Sequence, residues 1–283
     1  VSLPDQTVTV LATRDPNCLL VQHRVSGVDL LVDFGFKPDD IVVLEGMLER
    51  LGTSAGAIGA VLMTHMHGDH FRDAGLRAFL ERRPADAPPL PFYVHRDEPV
   101  HPSFDLCGLD VRRFDETPFA VTGPRGSVTV QPVRMTHTPG TCAFRIGDDF
   151  LGCDSSLREV FSDRVLRIIN PPGGSPLRGL YVDMQALDRE AVLASDFTGE
   201  RKRNVLAWHG LVSDMVSILE RPELRTFFVG LKRLVCLHVT AGVNDASGRT
   251  NARLITEARD RLGFTFEVPV VPAGIQDLAP PCP

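Results

Sequence analysis

Three apolar-rich runs open the chain, at Gln6–Thr13, Cys18–Arg24 and Val28–Phe34, and read as strands. Asp15-Pro16-Asn17 and Ser26-Gly27 supply the turn chemistry between them. Pro38-Asp39-Asp40 then starts a helix whose apolar residues Ile41, Leu44, Met47, Leu48 and Leu51 share one face. Ala60–Thr64 is a short buried strand, Phe71–Arg83 a helix, the Pro-rich 84–91 stretch a surface connection and Pro91–His95 another strand. Residues 96–126 carry four prolines and mixed charge and read as an irregular insertion. Ser127–Met135, Thr141–Ile146 and Asp149–Cys153 follow as strands, and Leu157–Ile169 as a helix. Leu180–Asp183 is a strand, helices start near Gln185 and Leu211, and Leu234–His238 is a strand. Asn251–Leu262 is a helix, Phe264–Val271 a last strand, and the tail from Pro272 has few structural signals. Strands, then a strand–helix alternation, then the same again, predict an α/β protein of two similar halves. The expectation is one domain over residues 1–283, with two mixed sheets face to face, helices outside, and a loop insertion near 96–126.

Composition narrows the picture little. The chain is 43% hydrophobic and 23% charged, ordinary for a globular protein. Its net charge of −6 argues against a broad nucleic-acid footprint, which needs a basic face. No run of eighteen apolar residues exists, so no membrane helix is expected. Cys18, Cys142, Cys153 and Cys236 sit in apolar runs and read as buried thiols; with Cys107 and Cys282 they form no CxxC pair. A reducing, cytoplasmic setting fits that pattern.

The chemistry enters at Thr64-His65-Met66-His67-Gly68-Asp69-His70, directly after the apolar run Ala60–Met63. Imidazole and carboxylate suit zinc and its first-row neighbours. His65 and His67 alternate with Met66 and project to one side of an extended loop. Asp69 and His70, one step on, face a second ion from the other side. Two ions about 3.5–4 Å apart make a hydrolytic centre. Further ligand-type residues stand at the ends of apolar strands: His137, Asp154 and His238. Asp154 can bridge two ions, having two oxygens.

These residues resemble the metallo-β-lactamase-fold hydrolases, over nearly the whole chain from Leu30–Gly35 to Leu234–His238. The resemblance implies an αββα sandwich of two mixed sheets flanked by helices. It assigns His65, His67 and His137 to one ion, Asp69, His70 and His238 to the other, and Asp154 as the bridge. Lactamase and lactonase branches often carry a second histidine in HTPGH, where this chain has Thr141. His137 followed by Ala143-Phe144-Arg145-Ile146 instead resembles the phosphodiesterase and tRNA 3′-processing branch, with Ala143 and Phe144 departing from its Gly-Tyr. That branch often has a further histidine before the last ligand; His209 is the candidate, although the HEAT-type sequence that accompanies it is missing.

The expected cofactor is a pair of divalent ions, zinc by default, with manganese and iron fitting the same ligands. The ions make hydroxide available, Asp69 and Asp154 help orient it, and His209 can protonate a leaving oxygen, if it is not a plain core or surface histidine. The expected substrate is a small phosphodiester or related anionic metabolite. Alternatives are a carbonyl substrate (lactone, β-lactam, thioester or amide) and a non-catalytic metal sensor. A homodimer is compatible with the sequence. His23, His95 and His101 read as structural, and Arg201-Lys202-Arg203 as solvated surface that an anionic substrate can alternatively meet. Asp33 is either a plain strand-end residue or the holder of a histidine tautomer.

Overall fold

The N-terminal runs form an antiparallel meander of β1 (Gln6–Thr13), β2 (Cys18–His23) and β3 (Val28–Val32). The computed structural model describes residues 5–238, 240 and 247–277; Cys282 and the end of the tail lie outside the described residues. Two units emerge from the packing. One holds the described residues up to 132, with 139–142 and 274–277; the other holds the described residues of 133–138 and 143–273.

In the first unit, β3 is followed by α1 (Ile41–Arg50), β4 (Ile58–Leu62), α2 (Asp73–Glu81) and β5 (Leu90–His95). β6 (Leu109–Phe114) then completes a mixed sheet in which β3, β4, β5 and β6 run parallel. Parallel strands need helical cover, and the interior strands β3, β4 and β5 are accordingly mostly apolar. α1 buries Ile41, Leu44, Met47 and Leu48, the predicted face, and α2 buries Leu76 and Phe79. Both join Phe34, Phe36 and Phe92 in one core. The strand Gly274–Ile275 pairs with β1, so the tail adds an edge the sequence pattern did not suggest. β7 (Phe119–Gly123) and β8 (Gly126–Arg134) form a hairpin.

The second unit is built on β9 (Cys142–Ile146), β10 (Asp149–Leu151), β11 (Gly179–Asp183) and β12 (Arg233–Leu237). β9 and β10 are antiparallel; β10, β11 and β12 are parallel. Its helices are α3 (Leu157–Val160), α4 (Asp163–Ile169), α5 (Arg189–Ala194), α6 (Gly199–Trp208), α7 (Val212–Leu219), α8 (Arg225–Gly230) and α9 (Arg249–Leu262). Two mixed sheets with flanking helices match the predicted class. Among the described residues no helix is long and apolar enough to cross a membrane. Cys18, Cys142, Cys153 and Cys236 are buried free thiols, as expected.

Three expectations are corrected. Residues 96–126 are not irregular throughout, because they contain β6 and β7. β6 lies at a sheet edge, where a strand carries charges such as Asp110, Arg112 and Arg113 without harm. The predicted helix 157–169 breaks at Ser162, whose hydroxyl accepts from Val165 N–H and caps α4 afresh. Residues 264–271 make no strand beyond one bridge from Glu267 to Arg233. Pro269 has no N–H to offer a ladder, and Phe264 and Phe266 turn into the core instead.

Phe228 anchors that core, its ring 5.6 Å from Phe161, 5.2 Å from Phe227 and 5.6 Å from Phe264. Phe228→Ala should lower unfolding free energy by about 3–5 kcal/mol, read from the denaturant midpoint. A midpoint unchanged from the parent protein would contradict this packing.

Candidate metal centre

In the first unit the ligand loop leaves β4 at Met63. It is gripped at once by Asp33, the residue that follows β3. Asp33 Oδ1 accepts from Thr64 N–H at 2.8 Å and from Thr64 Oγ1 at 2.9 Å. Its Oδ2 lies 2.7 Å from His70 Nδ1. Accepting a hydrogen bond there fixes the His70 tautomer and leaves Nε2 as the acceptor nitrogen. Burial pushes the Asp33 carboxyl up, against the pull of the His70 charge and of the hydrogen bonds from His70 and Thr64. Asp33 is held at φ 64°, a left-handed conformation that costs a non-glycine residue energy. The reading of Asp33 as a histidine holder is therefore the one the geometry favours.

The imidazoles of His65 and His70 stand 4.1 Å apart, and those of His65 and His67 4.7 Å apart, by ring centroid. Asn17 closes this half. Its Nδ2 lies 3.1 Å from both Asp69 Oδ2 and His70 Nε2, and its backbone N–H donates to the Asp69 carbonyl at 2.7 Å. The sequence showed Asn17 only as a turn residue; its one signal was an amide in the β1–β2 turn. Gly35 permits the approach: a Cβ there would stand 1.9 Å from the Asp69 carbonyl oxygen.

In the second unit the ligand-type residues sit at the C-terminal ends of neighbouring parallel strands, where loops gather sites. Asp154 follows β10, Asp183 ends β11 and His238 follows β12. His238 Nδ1 is 2.7 Å from Asp154 Oδ1 and 4.0 Å from Asp183 Oδ1. His137 Nε2 is 3.7 Å from Asp154 Oδ2. His238, at φ 55°, repeats the left-handed backbone of Asp33. His209 is not isolated: its Nδ1 lies 2.6 Å from Asp183 Oδ2, and its ring is 5.2 Å from those of both His137 and His238. Asp154, Asp183, His209 and His238 each offer a ligand atom within 4.8 Å of the others, all four buried. Burial pushes the Asp183 carboxyl up, against the attraction of His209 and its hydrogen bond. Asp183 escaped the sequence reading, though it obeys the rule that found Asp154 and His238: a carboxylate ending an apolar strand. Gly210 lets the chain turn beside it, since a Cβ there would meet the Asp183 carbonyl oxygen at 1.9 Å.

Buried carboxylates and imidazoles in such numbers fit a cation chemically. The model of the metallo-beta-lactamase superfamily matches residues 12–230. The chain belongs to the metallo-β-lactamase superfamily. Members of this superfamily are largely metal-dependent hydrolases, and the His/Asp clusters here can bind metal. The crystal structure of the metallo-β-lactamase fold protein YhfI from Bacillus subtilis is similar over 96% of this chain and 99% of its own, with 20% identity and a TM-score of 0.63. Unliganded yeast PDE1 is similar over 97% and 100%, with 12% identity and a TM-score of 0.64. At such identities the likeness is one of fold. No curated protein matches the sequence.

The remaining histidines have structural partners. His23 Nδ1 meets Ser26 Oγ at 2.8 Å, and buried His95 accepts from Asp97 N–H. The basic run is partly consumed in packing: Arg201 covers the Phe197 ring and Lys202 donates to the Leu193 carbonyl.

Asp33→Asn preserves shape and tolerates the left-handed backbone, but removes the acceptor charge that orients His70. Metal affinity, measured by chelator competition, should fall about 10–100-fold with the far-ultraviolet spectrum unchanged. Parental affinity would show that Asp33 does not govern the ligand.

Proposed function

We propose that the two units act as one dinuclear metallo-hydrolase domain that cleaves a small phosphodiester or related anionic metabolite. His65, His67 and His137 hold one ion in this reading, Asp69, His70 and His238 the other, and Asp154 bridges. The observation that carries it is that each unit supplies histidines and a carboxylate, with a buried aspartate fixing a histidine in each: Asp33 on the ligand His70, Asp183 on His209. When bound, the two ions polarise a phosphoryl oxygen and bring hydroxide within reach near neutral pH. Zinc is the default, with manganese and iron compatible with the same donors.

The chain's own residues do the rest. Asp69 and Asp154 orient the nucleophile as well as holding charge. With Nδ1 tied to Asp183, the Nε2 of His209 is the nitrogen left to hand a proton to the leaving oxygen. The phosphodiester preference is supported by His137 with Phe144-Arg145-Ile146 downstream, and by Thr141 where a second histidine would favour carbonyl chemistry. The net charge of −6 argues against nucleic acid as the substrate.

Elemental analysis should give about two ions per chain, and bis(p-nitrophenyl) phosphate should turn over in a metal-dependent way. His67→Ala should lose bound metal and activity while remaining folded; full occupancy in that variant would overturn the ligand assignment. His209→Asn should keep its metal and lower kcat by roughly 10²-fold or more, most for poor leaving groups. Turnover of lactone or thioester probes alone would replace the phosphodiester reading with carbonyl hydrolysis.

A further inference from the structure

The loop of His65–His70 borders a cleft of about 390 Å³ that the hydrolytic reading leaves without a task. Met66 and Gly68, which alternate with the candidate ligands, form part of its wall, together with Phe71. Lys37, Arg72 and His101 line it too, with the carboxylate of Asp73. These three residues come from separate parts of the first unit, so sequence spacing could not have grouped them.

Each is available to an anion. Lys37 is exposed, and its ammonium pairs with no carboxylate among the described residues. Arg72 holds Asp15 with one Nη at 2.7 Å and makes no hydrogen bond through the other among the described residues. His101 accepts the Ser103 N–H at Nδ1, so the neutral ring carries its proton on Nε2. That ring is fixed edge-on against Phe71, at 5.3 Å by centroid. The first turn of α2 also opens here: Asp73 and Ala74 line the cleft, and no side chain caps that turn.

We propose that this cleft is a subsite for a second, terminal phosphate group of the substrate, beside the bond that is cleaved. An ammonium, a guanidinium N–H and an imidazole N–H offer more donors than a planar carboxylate employs, and match the three acceptor oxygens of a phosphate monoester. Met66 and Phe71 give the intervening part of the substrate an apolar surface. The proposal rests on the phosphodiester reading above, and the test separates the two.

The matched probes are the p-nitrophenyl ester of thymidine 5′-monophosphate and the same ester bearing a 3′-phosphate. The parent protein should show a KM at least fivefold lower for the second, and Lys37→Glu should abolish or reverse that preference. Because the readout is a ratio between probes with one scissile bond, a general loss of activity does not mimic it. Calorimetric binding of thymidine 3′,5′-bisphosphate against thymidine 5′-monophosphate repeats the comparison without turnover. Tighter bisphosphate binding that Lys37→Glu removes, in a protein that hydrolyses neither ester, would uphold the cleft and reject the hydrolytic reading. Equal treatment of both members of each pair by the parent protein, or a preference untouched in Lys37→Glu, would overturn the subsite.

Discussion

The carboxylate of Asp33 is the contact on which the first half of the site depends. It is buried at the end of β3, and takes hydrogen bonds from both the backbone and the hydroxyl of Thr64, the residue that opens the ligand loop, while facing His70 at 2.7 Å. One side chain therefore joins two parallel strands to the start and the end of the loop. A buried carboxylate is expensive in isolation, and three bonds to one acceptor group are how a protein keeps it there. Its left-handed backbone adds of order 1–3 kcal/mol that the neighbouring β-structure must offset. The loop is thus held in shape by protein contacts alone.

The second unit answers with the same device on different residues. Asp183, buried at the end of β11, holds His209 as Asp33 holds His70. His238 carries the left-handed backbone there, one step past β12. The repetition follows from the architecture. Parallel strands deliver their C-terminal ends to one edge, and a polar side chain at such an end leaves the apolar interior just as the chain must turn. Brace and histidine then meet a few ångströms apart: Asp33 follows β3 and reaches the loop after β4, and Asp183 ends β11 and reaches His209 after α6.

This logic explains what the sequence disclosed. The HxHxDH run, His137, Asp154 and His238 could be picked out as candidates because a strand-end position can be recognised from an apolar run followed by a ligand-type residue. Asp183 satisfied that criterion too; what hid it was that its partner His209 is distant in sequence and that the intervening α5 and α6 carry no motif. Asn17 was illegible for a different reason. Its role depends on a turn folding back to the ligand loop, and an amide in an Asp-Pro-Asn turn is explained locally without it. Among the strands, β6 was hidden by its edge position, which relaxes the demand for apolar residues, whereas the 264–271 run had the apolar content of a strand without the free N–H groups a ladder requires. Periodicity reports what a segment buries, and only indirectly what it bonds to.

The same distinction separates the metal chemistry from substrate choice. Ligands at strand ends are fixed by the core, so a change that moves them also disturbs packing such as that between Gly35 and the Asp69 carbonyl, or Gly210 and the Asp183 carbonyl. Lys37, Arg72 and His101 stand outside that constraint, on connections whose side chains can vary without altering a strand. A fold that keeps one reactive centre while exchanging such residues can serve many anionic substrates. Side chains on such connections, more than the likeness of the centre to any relative, are therefore where substrate preference can differ within one fold.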